Sequence, residues 1–214
     1  AIIGVERGTT GVAPPRKALQ EAGYAFNITN GARALFQGSE GATGLGDISF
    51  YGKYQILKET SSLPALSVRV GVKAPTGDTG EVFGSGHPDA GIGLALDKKF
   101  ADNWILYANL NGVFPTGRIA GLGLQPVVSG LVAVEYLWTE NFSITVQFDY
   151  YSPPFHGTGT RVLDKGVTES VLGVSYRILP GLLWQLYGVE NLDFITGSAA
   201  DFTLSTVLTY RFRS

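Results

Sequence analysis

Hydrophobic and polar residues alternate one by one over long stretches of this chain. Near its end, in "DFTLSTVLTYRFRS", Leu204, Leu208 and Tyr210 fall on even positions, and the residues beside them are mostly Thr, Ser and Arg. A period of two is the signature of an extended strand whose successive side chains point to opposite faces of a sheet. The same parity recurs in "DISFYGKYQI", "LSVRVGVKA", "AGIGLALD", "WILYANLNGVF" and "FSITVQFDY". The pattern predicts an all-β protein.

The length of these stretches and the links between them favour a membrane barrel. They predict about nine strands of roughly 9 to 13 residues, close to the roughly 9 to 11 residues that cross a bilayer at a tilt. Short links such as "ADN", "TEN" and "LPG" alternate with longer links rich in Gly, Pro, Ser and Thr, as periplasmic turns and external loops do in outer-membrane barrels. We therefore predict a transmembrane up-and-down antiparallel β-barrel over residues 45–214, with its even-numbered face toward lipid.

Two alternatives stay open at this point. A soluble barrel or sandwich would bury the even-numbered face, but it would need shorter strands and more Lys and Glu outside. Residues 1–44 are less regular and contain Asn30-Gly31, a favoured hairpin turn. Residues 24–37 form either a short external hairpin or a further spanning strand. In the second case, residues 1–44 contain a partial first strand of the barrel. Because single-chain bacterial barrels use even strand numbers, we expect a total of 10–12 strands: either residues 24–37 supply one further strand, or a region that precedes Ala1 supplies about three.

Composition agrees with a membrane setting and excludes several classes of protein. The 214 residues have a net charge of -2, only 16% charged residues and no cysteine. Soluble domains carry roughly 25% charged residues, and a nucleic-acid-binding protein would show a basic patch. No apolar run approaches the roughly 20 residues of a membrane helix. We expect an integral protein of the bacterial outer membrane in contact with lipopolysaccharide and phospholipid, with no nucleic acid and no cofactor.

The parity also assigns side chains to the two faces of the barrel. Charges of both signs on one interior face permit ion pairs between strands, and aromatic residues near strand ends match the girdles of a membrane interface. The predicted lumen-facing residues are Asp47, Lys53, Arg69, Lys73, Asp97, Asn109, Glu135, Asp149, Glu169, Arg177 and Arg211. The predicted lipid-facing aromatic belt comprises Trp104, Phe114, Trp138, Phe142, Tyr176, Trp184, Tyr210 and Phe212.

Three functions are compatible with this pattern. A narrow porin-like channel would pass small solutes through the polar interior, whereas a structural barrel with a plugged lumen would bind an envelope protein as its partner. An outer-membrane enzyme would need a nucleophile such as Ser85 or Ser152 beside one of the two histidines, His87 and His156. Both histidines fall in predicted loops and are interpreted as solvated residues. We therefore expect no enzyme, no catalytic residue and no metal site.

Several stretches resemble a known family. They are "GLGDISFYGKYQIL", "LPALSVRVGVKAPTGD", "GSGHPDAGIGLALDKKF", "YANLNGVF" and "VENLDFITGSAADFTLSTVLTYRF". They are similar to an uncharacterised family of Gram-negative outer-membrane barrels, the domain of unknown function 3187, over residues 44–212. A looser similarity links "GLGD", "KY" and "VKAPTGD" to barrels associated with phenol-degradation gene clusters. The resemblance implies the barrel fold and further strands before residues 1–44, and it implies no catalytic or binding residues.

Overall fold

The computed structural model describes residues 26–30, 33–38, 44–79, 83–119, 122–159, 161–192 and 202–212. Most of them lie in antiparallel strands. In chain order the elements are β1 (Phe26–Asn30), β2 (Arg33–Gly38), β3 (Ile48–Leu57), β4 (Ala65–Ala74), β5 (Asp89–Ala101), β6 (Trp104–Pro115), β7 (Arg118–Ile119), β8 (Leu122–Gly123), β9 (Val127–Leu137), β10 (Phe142–Tyr151), α1 (Arg161–Asp164), β11 (Val167–Leu179), β12 (Leu182–Asn191) and β13 (Phe202–Tyr210).

Nine of these strands form one up-and-down antiparallel sheet in the order β3, β4, β5, β6, β9, β10, β11, β12 and β13. Each strand has 9 to 13 residues, as the alternation predicted. The prediction of about nine long strands is confirmed. Within the described ranges β3 and β13 are the two edges of the sheet and do not pair with each other.

The remaining elements are short. β1 and β2 form an antiparallel pair with one irregularity in register between Ile28 and Thr29, and among the described residues neither strand pairs with another. β7 and β8 form a second small antiparallel pair between β6 and β9. The division of the chain into residues 1–44 and 45–214 stays a prediction, because residues 1–25, 31–32 and 39–43 lie outside the described part. In that described part, no helix has the length and apolarity to cross a membrane.

Short and long connections alternate along the sheet. Two residues, 102–103, join β5 to β6, and residues 138–141 join β9 to β10. In the second turn the Thr139 hydroxyl accepts hydrogen bonds from the backbone N–H groups of Asn141 and Phe142, at 3.2 and 3.0 Å. The links at the opposite end, such as residues 75–88 and 152–166, are much longer. In an antiparallel sheet this order gathers the short turns at one end and the long loops at the other, as predicted.

The two faces of the sheet have opposite character. Small odd-numbered side chains are buried, and Ala133 is only 3% exposed and Ser67 only 4%. Large apolar side chains on even positions are exposed, including Leu172 at 62% and Ile92 at 54%. Because successive residues of a strand point to opposite faces, the sheet has a polar face with shielded side chains and an apolar face that is open to its surroundings.

Candidate functional site

The polar face carries the odd-numbered charged residues that the alternating pattern assigned to the interior of the barrel. Direct pairing between strands places many of them in lateral rows; for example, Asn109, Asp149 and Glu169 lie in one row that crosses β6, β9, β10 and β11. Lys53, Arg177 and Arg211 are exposed. The others are half-buried, namely Asp47, Arg69, Lys73, Asp97, Asn109, Glu135, Asp149 and Glu169. Their assignment to a lumen stays a prediction.

An ionic cluster fixes the long loop between β4 and β5 to the loop end of the sheet. The ammonium group of Lys73 lies 3.0 Å from the carboxylate of Asp47 and 2.5 Å from that of Asp89. Lys73 Nζ also donates a hydrogen bond of 2.6 Å to the Ser85 hydroxyl. The backbone N–H groups of Gly77 and Ser85 donate to Asp47, at 2.9 and 3.1 Å. One lysine and two carboxylates therefore hold Gly77 and Ser85 of this loop against the ends of β3, β4 and β5.

The protonation of Asp47 reflects these contacts. Backbone hydrogen bonds from Gly77 and Ser85 hold the pKa of this carboxyl far below its ordinary value, and Lys73 lowers it further. The side chain of Asp47 is only 8% exposed. A carboxylate that accepts several N–H bonds is stabilised in its charged form. Asp47 is thus ionised over the whole physiological pH range.

A second hydrogen-bonded group lies nearer the turn end of the sheet. The Tyr107 hydroxyl donates to one carboxylate oxygen of Glu135 at 2.6 Å, and the Ser143 hydroxyl donates to the other at 2.5 Å. These residues belong to β6, β9 and β10, three neighbouring strands. Glu135 therefore has both of its oxygens satisfied by hydroxyl groups, without a salt bridge in the described part of the chain.

A third group crosses four strands at mid-sheet. Arg69 in β4 donates a hydrogen bond of 2.5 Å to the side-chain oxygen of Asn111 in β6. Asn111 in turn donates to the Ser129 hydroxyl in β9, at 3.3 Å. Gly93 of β5 lies between Arg69 and Asn111 in the pairing register, and a Cβ there would collide with the Asn111 oxygen. The missing side chain lets Arg69 reach across β5.

Acidic side chains occupy the other half of the polar face. Asp149 and Glu169 lie directly opposite each other on β10 and β11, and Gln147 donates a hydrogen bond of 2.8 Å to Asp149. Like charges in directly opposite positions repel each other. Near mid-sheet, the polar face thus carries the cations Lys53 and Arg69 on β3 and β4, and the carboxylates Asp149 and Glu169 on β10 and β11.

The serine and histidine pairs of the enzymatic alternative do not assemble through their side chains. The Ser85 hydroxyl donates to the backbone carbonyl of His87, at 3.1 Å, and not to its imidazole. The Ser152 hydroxyl accepts a hydrogen bond from the backbone N–H of Val128. Among the residues that the structure describes, no three His, Asp or Glu side chains are grouped so as to hold a metal ion.

Aromatic side chains cluster on the apolar face near the short turns. The rings of Trp104 and Tyr136 are 4.7 Å apart, and those of Tyr210 and Phe212 are 4.8 Å apart. The Trp184 indole donates to the Thr206 hydroxyl at 2.8 Å. The structure places the predicted aromatic residues as follows: Trp104, Trp138, Phe142, Tyr176, Trp184, Tyr210 and Phe212 at the turn end, and Phe114 at the loop end. Their contact with lipid stays a prediction.

Sequence reasoning missed several partners on the polar face. Asp89, Tyr107 and Asn111 were not among the predicted site residues, although each has the odd parity of that face. Gly93 was read only as part of an alternating strand, and its role follows from its position between two polar side chains. Parity could have identified Asn111, but the choice of partners depends on the register between strands.

The sheet topology and its two faces define the class of protein, an up-and-down β-barrel of the outer-membrane type. The chain belongs to the family described as "Protein of unknown function (DUF3187)", whose model matches residues 18–212. The resemblance found in the sequence is thereby confirmed. A comparison with curated proteins gives no match.

A solved structure supports the same fold. The chain is similar to the crystal structure of the COG4313 outer membrane channel from Pseudomonas putida F1, with a TM-score of 0.60 and 12% sequence identity. The match covers 81% of this chain and 66% of that chain, so it spans less than two thirds of the channel's length. At this identity the likeness concerns the fold alone. The predicted fold class is confirmed, and the total of 10–12 strands stays a prediction.

Proposed function

We propose that this protein is an integral outer-membrane barrel that acts as a narrow channel for small polar solutes and has no enzymatic activity. The proposal rests first on the exposed apolar face. Val70 pairs with Ile92, and Val146 pairs with Leu172, and all four side chains are 45% to 62% exposed. Soluble proteins rarely expose an apolar patch larger than a few hundred Å². Phospholipid and lipopolysaccharide chains are the surroundings that fit this face.

The spacing of aromatic residues agrees with a bilayer. Trp104 and Phe114 stand near the two ends of β6, ten positions apart on the same face. At about 3.3 Å per residue this is a distance of about 33 Å along the strand, or about 25 Å along the membrane normal for a strand tilt near 40°. Outer-membrane barrels have an apolar band of about 25 Å between two aromatic girdles. The positions of both aromatic groups therefore support a spanning sheet.

The charges without salt bridges on the polar face favour a water-filled, conducting lumen. Lys53 and Arg69 on one side, and Asp149 and Glu169 on the other, have no salt bridge within the described ranges. A purely structural polar core would be expected to pair opposite charges, because a buried unpaired charge costs free energy. Charges without ionic partners are stable where water and mobile ions reach them, as they do in a channel.

Single-channel recording tests this proposal. We expect stepwise currents from the refolded protein in a planar bilayer, and a shift in reversal potential toward cations for Arg69→Glu under a salt gradient. Lys58→Glu makes the same charge change in the link between β3 and β4, outside the polar face, and should leave the ion preference unchanged. A folded protein that inserts into the bilayer but passes no current would contradict the channel and favour a structural barrel with an envelope partner.

A further inference from the structure

A cavity opens on the polar face close to mid-sheet, between β3 and β9. Its volume is about 370 Å³, within the roughly 300 to 1,000 Å³ of pockets that bind small molecules. Strands β3 to β6 and β9 all contribute to it. The polar side chains that line the cavity are those of Tyr51, Lys53, Arg69, Asn111 and Ser129.

Glycine residues form the floor of this cavity. A Cβ on Gly71 would lie 2.9 Å from the Tyr51 ring, and a Cβ on Gly93 would collide with the side-chain oxygen of Asn111. Any larger residue at these two positions would displace the neighbouring wall. The glycines therefore create both the depth of the cavity and the path by which Arg69 reaches Asn111.

The two cations of the cavity have no anionic partner among the residues that the structure describes. Lys53 lies directly opposite Arg69 in the pairing of β3 with β4, a position in which like charges destabilise a sheet. Neither side chain makes a salt bridge to any described residue. Lys73, four residues after Arg69 on the same strand, is in contrast paired with two carboxylates. Lys73 of β4 is thus neutralised, whereas Arg69 of β4 and Lys53 of β3 face the cavity.

Arg69 is also oriented for a ligand. Its hydrogen bond to Asn111 uses one N–H group of a guanidinium that has five, and the Asn111 side chain is fixed in turn by Ser129. A guanidinium held on one side presents its remaining N–H groups as a planar fork, which matches the two oxygens of a carboxylate or phosphate. Lys53 supplies a second positive charge nearby.

We propose that this cavity is a binding subsite for the carboxylate or phosphate group of a small anionic solute. Arg69 and Lys53 bind the charged group, and Asn111 positions the guanidinium. The inference deepens the proposed channel function, because it names the class of solute and rests on the channel for the solute's route to the cavity. The volume is that of a pocket for a small molecule.

Equilibrium binding tests the subsite without any measurement of current. Succinate and inorganic phosphate are titrated calorimetrically into the refolded protein in detergent, at low ionic strength. We expect wild type to bind at least one of them and Arg69→Gln to bind it roughly tenfold more weakly or worse, since a hydrogen bond to a charged group is lost. Lys53→Gln should weaken binding as well, and its exposed position on the edge strand keeps it informative if Arg69→Gln does not fold. Arg177→Gln removes a charge of the same kind from the turn end of the polar face and should bind like wild type.

The outcomes separate this inference from the channel proposal. Currents that succinate or phosphate reduces in wild type and Arg177→Gln, but not in Arg69→Gln, support both. Binding that depends on Arg69 in a protein without current supports the subsite and contradicts the channel. The subsite is refuted if neither anion binds wild type, or if the loss of binding is the same in Arg177→Gln as in Arg69→Gln and Lys53→Gln.

Discussion

Replacement of Leu172 by arginine tests the direction in which the sheet faces. Leu172 is the sixth of thirteen residues in β11, its side chain is 62% exposed, and it pairs with the apolar Val146. An arginine on the lipid side of a barrel near the bilayer midplane costs about 2 to 4 kcal/mol. Thr145, beside Val146 on β10, has the opposite parity and pairs directly with Glu135. An arginine there would stand next to a carboxylate on the polar face, where its net cost should be within about 1 kcal/mol.

The difference between the two variants should therefore be about 1 to 5 kcal/mol, or roughly 5-fold to several thousand-fold in the folding equilibrium. We would measure it by urea titration of folding into lipid vesicles, with Leu172→Ala as a control for the loss of side-chain volume. Leu172→Arg should fold far less well than Leu172→Ala and Thr145→Arg. Equal losses for both arginine variants would refute the assignment of the faces, and a reversed order would mean that the odd-numbered face, and not the even-numbered one, is turned to lipid.

Two further predictions concern the whole barrel and its long loop. The folded protein should migrate differently in a detergent gel before and after boiling, because a continuous network of strand pairs resists the detergent; a sample without a shift and with a helical circular dichroism spectrum would contradict the fold. The pKa of Asp47 is depressed from an ordinary value of 3.8, so its contribution to the docking of Gly77 and Ser85 is complete above that value and is lost as the pH falls below it toward the lowered pKa. Amide exchange at Gly77, corrected for its intrinsic pH dependence, should accelerate below about pH 4 in wild type; Asp47→Asn should exchange fast already at pH 7, and slow exchange in that variant would refute the role of the carboxylate.

The strands could be predicted from the sequence because their signal is local. Alternation over ten residues, as in "FSITVQFDY", needs no knowledge of the partner strand, and β10 indeed covers Phe142–Tyr151. The order of short and long links fixed the up-and-down topology for the same reason. The small elements within the loops, β7, β8 and α1, could not be predicted, since they are too short to show a periodic pattern.

The polar contacts could be predicted only as far as parity allowed. Parity placed Asp47 and Lys73 on one face, but 26 positions separate them in sequence, and their salt bridge depends on how β3 and β4 are aligned. A shift by one residue would send each side chain to the opposite face. Asp89 joins the same lysine because β5 begins there, which no local pattern indicates. Register, and not composition, decides which of the charges on the polar face are neutralised.

Gly71 and Gly93 connect the strand pattern to the proposed function. Glycine weakens a strand, because it has no side chain to pack and more backbone freedom to lose. A sheet selected for stability alone would place Ala, Ser or Thr at these positions, and the neighbouring rows do contain Ser67 and Ala95. The glycines occur instead where Tyr51 and Arg69 extend over the backbone. These glycines of β4 and β5 therefore lower strand stability beside the cavity that Arg69 and Lys53 line, and neither cation has a salt bridge within the described residues. A site shaped for a solute would require such an exchange of stability for space.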